Sequence, residues 1–151
     1  MIRFRTFVAC MATLVTAGCL VQSVPEPKQL VINVLDKSLY NDCHIPGSIQ
    51  VDFDKVEAYV SKSPKDLSII VYCSNYACMT SHFVVKRLRD KGYINARVYS
   101  GGMAEWFQAG YLVDGPSQSA YLHKEVLPNE EDSDELPKIS IKELAELLKI
   151  V

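Results

Sequence analysis

Ser68-Ile-Ile-Val-Tyr-Cys-Ser-Asn-Tyr-Ala-Cys-Met-Thr-Ser81 is the stretch that decides how the rest of the chain is read. Ile69, Ile70 and Val71 form an apolar, β-branched run bounded upstream by Pro64 and Asp66. A run of this kind, without polar alternation, predicts a strand buried on both faces in the middle of a parallel sheet. The strand gives out at Cys73, and small or polar residues follow from Ser74 to Ala77. A helical pattern then begins, with Met79, Phe83, Val84 and Leu88 as its apolar positions. It closes on Lys91-Gly92, a basic last turn and a glycine cap. A cysteine therefore stands where a buried strand hands over to a helix. In an open parallel sheet, sites lie at the carboxyl ends of strands. A helix N-terminus there offers unpaired N–H groups and a positive dipole end.

An ordinary cysteine, with a pKa of about 8.5, is only a few per cent thiolate at neutral pH. A helix dipole contributes roughly 0.3–1 kcal/mol. A single pKa unit is about 1.4 kcal/mol. For Cys73 to work as a low-pKa nucleophile, the larger share must come from loop N–H groups pointing at its sulfur. On this stretch alone, a buried and inert cysteine ending a strand is the alternative.

Working outward, 151 residues are enough for one domain with a core, plus extensions. The formal net charge is −2 and no basic stripe is present, which argues against nucleic acid as a partner. At the N-terminus, Arg3 and Arg5 precede an apolar run from Phe7 to Ala17 that reaches Gly18-Cys19. A charged start, a short apolar stretch and small residues predict a secretory signal over 1–18, too short to span a bilayer comfortably. Thr16-Ala17-Gly18-Cys19 resembles the lipobox of bacterial lipoproteins, except that Thr16 stands where that family usually has Leu or Val. The resemblance implies cleavage before Cys19 and lipidation of its thiol with a palmitate-type chain. It also implies an exported domain held to a membrane by that anchor, facing the periplasm or the cell exterior. Leu20 in place of Asp favours an outer membrane where one exists. The alternatives are ordinary cleavage near Ala17 or Gly18, and an uncleaved anchor.

Of five cysteines, Cys10 would leave with the signal and Cys19 would carry lipid, so Cys43, Cys73 and Cys78 remain in the domain. An odd number in an oxidising compartment favours a working thiol over a purely structural framework. No metal-ligand spacing is present, and neither a metal nor a cofactor is expected.

Residues 19–29, with Pro25 and Pro27, read as a tether. Leu30 to Leu35 is a buried strand and Asp36 to Tyr40 a turn or short helix. His44-Ile-Pro-Gly-Ser48 is a tight loop, Ile49 to Phe53 a strand, and Asp54 to Ser61 a helix capped by Asp52 or Asp54. Arg97 to Tyr99 is a strand, Ser100-Gly101-Gly102 a glycine turn, and Met103 to Ala109 a helix closed by Gly110. Strands alternating with helices predict an α/β fold with an open parallel sheet flanked by helices. Beyond Gly115, residues 116–137 read as a linker with an acidic run from Glu130 to Glu135. Residues 138–151 read as a short strand and a helix. Ser140 and Glu143 form its capping box, and Ile141, Leu144, Leu148 and Val151 lie near one face. A helix this short needs a surface to cover.

The order of these motifs resembles the rhodanese family. Val31-Ile-Asn-Val34, His44-Ile-Pro-Gly-Ser48, Val71-Tyr-Cys73, Leu88 with Lys91-Gly-Tyr93, and Gly101-Gly-Met-Ala-Glu-Trp106 with Ala109-Gly110 carry the likeness over residues 30–115. The resemblance implies a rhodanese-like sheet and a sulfurtransferase whose catalytic cysteine is Cys73. That cysteine would take sulfane sulfur from a small donor, hold it as a persulfide and pass it to a thiol acceptor. Ser74, Asn75, Tyr76, Ala77, Cys78 and Met79 would form the substrate-binding loop, its N–H groups stabilising the anionic donor and the persulfide. A protein partner is not identified by the sequence.

Several positions depart from the family. Asn33 and Leu35 replace the usual Asp and Arg of the first strand motif, and Cys43 replaces the Gly before the His-Ile-Pro-Gly loop. Ser74 to Ser81 contains no Lys or Arg, which argues against phosphate chemistry and favours a neutral or thiol-bound donor over thiosulfate. Cys78 falls near the place where the family often has a positive residue. It is a candidate resolving thiol or second sulfur acceptor, and otherwise a small residue starting a helix. Cys43 is a second candidate, because the family's His-Ile-Pro-Gly loop packs near the site. His44 reads as a loop-fixing hydrogen bonder, His82 as an exposed helix residue and Trp106 as core. Tyr76 reads as lining the pocket mouth.

Many rhodanese domains open with a short strand and helix that this chain lacks before Val31, while Lys138 to Leu148 has that pattern. The expectation is that the tail folds back to supply them, as in a circular permutation. The rival is a relic of a truncated tandem domain. Besides sulfur transfer, two functions fit the sequence: a thiol–disulfide redox protein using Cys73 and Cys78, and a catalytically silent rhodanese-like binding module.

Overall fold

The computed structural model describes residues 29–125, 127–128 and 135–150. The expected signal, Cys19 and the first part of the tether lie outside the described residues, as does most of the acidic run. Four parallel strands form one open sheet: β1 (Gln29–Asn33), β2 (Ile49–Gln50), β3 (Ser68–Tyr72) and β4 (Ala96–Tyr99), in the order β2-β1-β3-β4. The helices are α1 (Lys37–Asp42), α2 (Val56–Tyr59), α3 (Thr80–Asp90), α4 (Gly102–Gln108) and α5 (Ile141–Leu148). The second strand is shorter than expected, because after Gln50 the chain turns through Asp52, whose carbonyl accepts from Lys55 N–H. The helix that follows starts without a side-chain cap, although Asp52 or Asp54 was expected to supply one. Asp36 caps α1 instead, accepting from the N–H groups of Ser38 and Leu39 at 3.1 Å each.

The period-two alternation of β3 builds two apolar layers. Ile69, Val71 and Cys73 point into a layer with Ile32, Val84, Leu88 and Val98. Ile70 and Tyr72 point into the other, with Val31, Tyr99, Trp106, Leu122 and Leu144. Both faces of the sheet are therefore covered, as the unalternating sequence of β3 requires. Chain order reverses around β1, since β2 lies on one side and β3 with β4 on the other. The crevice between the carboxyl ends of β1 and β3 is the switch point where such sheets place their sites.

The tail adds to the far edge. Val98 N–H donates to Pro137 C=O, and Ile139 N–H donates to Val98 C=O, both at 2.9 Å, which lays residues 137–139 parallel to β4. The Ser140–Glu143 capping box then starts α5, which buries Leu144 and Ala145 in the second layer. The segment after Gly115, read as the start of a linker, is docked instead. Gln118 and Ser119 N–H groups donate to the Asp42 carboxylate at 2.9 Å each, and the 3₁₀ turn Ala120–His123 inserts Leu122 into the core. Those are backbone bonds to a distant carboxylate, which composition does not reveal.

Candidate active site

The cysteine loop is assembled from three directions. From below, Tyr72 ends β3 with its hydroxyl buried under the His-Ile-Pro-Gly loop. It accepts from Ile45 N–H at 3.1 Å and shares a hydrogen bond with Ser48 Oγ at 2.9 Å. Burial pushes this phenol up to about 12, so it stays a neutral strut. His44 fixes the same loop: its ring stacks on Tyr40 at 3.9 Å and its Nδ1 lies 2.8 Å from Tyr40 C=O.

From the side, the first turn of α4 holds the loop's base. Met103 N–H donates to Cys73 C=O and Ala104 N–H to Ser74 C=O, both at 2.9 Å. Gly102 makes this approach feasible. Its φ is +62°, and a Cβ there would sit 2.7 Å from the Cys73 carbonyl oxygen.

Within the loop, Asn75 folds the chain back on itself. Its side-chain Oδ1 accepts from Ala77 N–H at 3.1 Å and its carbonyl from Cys78 N–H at 3.0 Å. An Asn turn of this kind needs no partner outside the loop. It returns Cys78 over Cys73, and the two are joined as a disulfide with a Cα–Cα separation of 6.4 Å. That separation lies in the range a native bridge spans without backbone movement. Cys73 Sγ also lies 3.0 Å from the Cys78 carbonyl oxygen. The buried Ser81 hydroxyl, 3.8 Å away, donates toward the same sulfur.

Ser81 is a residue that sequence reasoning missed. The signal was the pair Thr80-Ser81 at a helix start. Which hydroxyl turns inward depends on the helix phase, and the phase differs from the expected one. The buried face of α3 carries Ser81, His82, Val84, Val85 and Leu88, while Phe83 is 62% exposed and Met79 36%. His82, expected on the surface, lies on the buried face of α3, with its Nε2 3.3 Å from Ser100 Oγ in the glycine turn. Trp106 is buried beneath that turn, its Nε1–H donating to Leu112 C=O.

The loop residues do not share one environment. Ser74, Asn75, Tyr76 and Cys78 are half-buried, and Ala77 and Met79 are exposed. Tyr76 O–H donates to Glu105 Oε1 at 2.9 Å, beside a cleft of about 410 Å³ lined by Tyr99, Lys138 and Glu143 among others. Cys43 is not brought to the cysteine pair. It is fully buried in the opposite layer, across the sheet from Cys73, where Ser117 Oγ donates to its sulfur at 3.3 Å. Burial pushes its thiol up. Among the described residues, no group of three or more His, Cys, Asp or Glu side chains could hold a metal ion. None of their helices is long and apolar enough to cross a membrane.

Residues 16–109 match the family described as rhodanese-like domain. Among curated proteins, the chain is 26% identical over 77 residues to the thiosulfate sulfurtransferase GlpE of Coxiella burnetii, covering 51% of this chain and 70% of that one. Among solved structures, a crystal structure of the Alr3790 protein from Anabaena superposes with a TM-score of 0.53 at 30% identity, covering 60% of this chain and 71% of that one. The BH2092 protein from Bacillus halodurans gives a TM-score of 0.55 at 24% identity, covering 70% and 75%.

Proposed function

Because the chain belongs to the rhodanese-like domain family, we propose that it is a sulfurtransferase whose Cys73 carries sulfane sulfur as a persulfide and delivers it to a thiol or other nucleophile. The observation that carries this reading is the position of Cys73. It directly follows the central strand β3, at the switch point of the sheet, on a loop clamped by the first turn of α4. In the reaction, the Cys73 thiolate attacks the outer sulfur of the donor, the donor's remaining group leaves with the electron pair, and an acceptor thiolate later takes the sulfur. Since Ser74 to Ser81 offers no Lys or Arg, a thiol-bound persulfide or polysulfide suits this loop better than dianionic thiosulfate.

The export and anchoring of the domain belong to the same proposal. Arg3, Arg5, the apolar run to Ala17 and Thr16-Ala17-Gly18-Cys19 support a lipid chain on Cys19 and a domain outside the cytoplasm. Incorporation of a palmitate analogue, lost in Cys19→Ser, checks this. Residues 138–151 are read as completing the domain of residues 30–115, in place of the strand and helix absent before Val31.

A second reading, thiol–disulfide exchange, is favoured by one observation, the Cys73–Cys78 bridge. Intact mass spectrometry with peptide mapping separates the two. The signal-free domain is reduced and exposed separately to thiosulfate and polysulfide. One added sulfur on Cys73, absent in Cys73→Ser, is the expected result. A bridge that forms without sulfur ever being retained favours exchange chemistry, and a thiol unmodified by every donor favours a binding module.

A further inference from the structure

The geometry around Cys78, a candidate resolving thiol from the sequence, points to more than sulfur transfer. A sulfurtransferase needs one cysteine, and a second thiol within bonding reach of the first is a hazard to a persulfide. Here that reach is built in. The Asn75 turn sets the return of the loop, and the amides of Met103 and Ala104 fix its base. The Cα atoms of Cys73 and Cys78 are left 6.4 Å apart with the sulfurs bonded. Cys43 cannot substitute, because the sheet stands between it and the pair. Cys73 is almost fully buried in the bridged form, so the bridge also closes the nucleophile to donors.

We infer that the chain has a second activity, the reduction of sulfane sulfur to hydrosulfide, with Cys78 as the internal resolving thiol. This inference rests on the persulfide reading of Cys73. After loading, the Cys78 thiolate, its proton lost to solvent, attacks Cys73 Sγ. The Cys78–Cys73 sulfur–sulfur bond forms, the bond from Cys73 Sγ to the outer sulfur breaks, and the outer sulfur leaves as HS⁻ with that electron pair. Two cysteine sulfurs are oxidised to a disulfide and the sulfane sulfur is reduced by two electrons. An external dithiol then reopens the bridge by exchange and becomes a disulfide itself, which makes the cycle catalytic. Direct attack on Sγ fits the geometry, since the bridge is accommodated within the folded loop. Transfer to an outside acceptor competes with this step, so the ratio of acceptor to dithiol sets which product dominates.

The test uses the reduced chain without oxygen or free thiol, given one equivalent of donor. Benzenethiosulfonate, which leaves as a sulfinate, and cysteine persulfide, which leaves as a thiol, are used in separate runs. Hydrosulfide is trapped with a bimane, and the cysteines are mapped by mass spectrometry. The expected result is about one hydrosulfide per chain from the wild type, together with a Cys73–Cys78 bridge. Cys78→Ser and Cys78→Ala should retain the sulfur on Cys73 and release it about tenfold more slowly or less. A wild-type chain that keeps its persulfide, with no hydrosulfide and no bridge, overturns the inference and leaves the sulfurtransferase reading standing. Equal release from wild type and the Cys78 variants also overturns it. If neither donor loads Cys73 in any of the three proteins, both readings fall together. Because the wild-type stoichiometry is itself decisive, poor folding of a variant does not shield the inference.

Discussion

Leu144→Ala tests whether the tail belongs to the core. Leu144 is fully buried in the layer that also holds Ile70, Tyr72 and Trp106, so its truncation leaves a hole under the sheet. Substitutions of this kind cost about 2–5 kcal/mol, depending on how far the site collapses. A domain of this size holds roughly 5–15 kcal/mol in total, so the loss is a large share of it. At about 4 °C per kcal/mol, a value between those of 100- and 200-residue domains, the midpoint should fall by about 8–20 °C. The assay is thermal and urea unfolding followed by circular dichroism, on the full described domain. Glu146→Ala, on the exposed face of α5, serves as the control and should stay within about 0.5 kcal/mol. A Leu144→Ala loss below about 1 kcal/mol, matching that control, would refute the argument that α5 closes the second layer.

Three further outcomes are expected. Gly102→Ala forces a Cβ to within 2.7 Å of the Cys73 carbonyl at a φ of +62°, and should cost about 1–3 kcal/mol in urea unfolding while slowing sulfur loading. Hydrogen bonds from the Ser140 hydroxyl, and then from its N–H, hold the Glu143 carboxyl below its ordinary 4.5. A depressed folded pKa means that its stabilisation is present above the unfolded value and is lost as pH falls through the folded one. The stability gap between wild type and Glu143→Ala should therefore be full at neutral pH and shrink as the solution is acidified below about pH 4.5, read from urea midpoints. Burial pushes the Cys43 thiol up, so alkylation of Cys43 in the native chain should run at least about 100-fold slower than in urea, read by peptide mapping.

The parts of the fold that could be read beforehand are those governed by local pattern. The unalternating Ile69-Ile70-Val71 run placed β3 at the centre of the sheet, and Ser140 with Glu143 marked the start of α5. The parts that could not be read depend on groups far apart in the chain. Asp42 docks Gln118 and Ser119, so a stretch of linker composition lies on the core. His82 lies on the buried face of α3, its partner a serine in a different loop. The phase of α3 is set by which residues meet the sheet, so Phe83 faces out although its spacing fits an apolar stripe. In the cysteine loop, the position of Cys73 directly after the central strand was legible. The bridge to Cys78 was open until the Asn75 turn fixed the distance, and Ser81 emerged only with the helix phase.

The pairing of residues 137–139 with β4 imposes an order of events in time. A chain made or threaded from its N-terminus presents all four strands before the segment that covers the fourth. In that interval the outer edge of β4 has no strand beside Val98, and the layer that holds Trp106 and Tyr72 lacks Leu144. Bare strand edges of this kind recruit other chains. The interval closes only when Lys138 to Leu148 arrive, so the sheet is sealed by its latest-arriving piece. Anything that holds that piece back leaves the outer edge of β4 open.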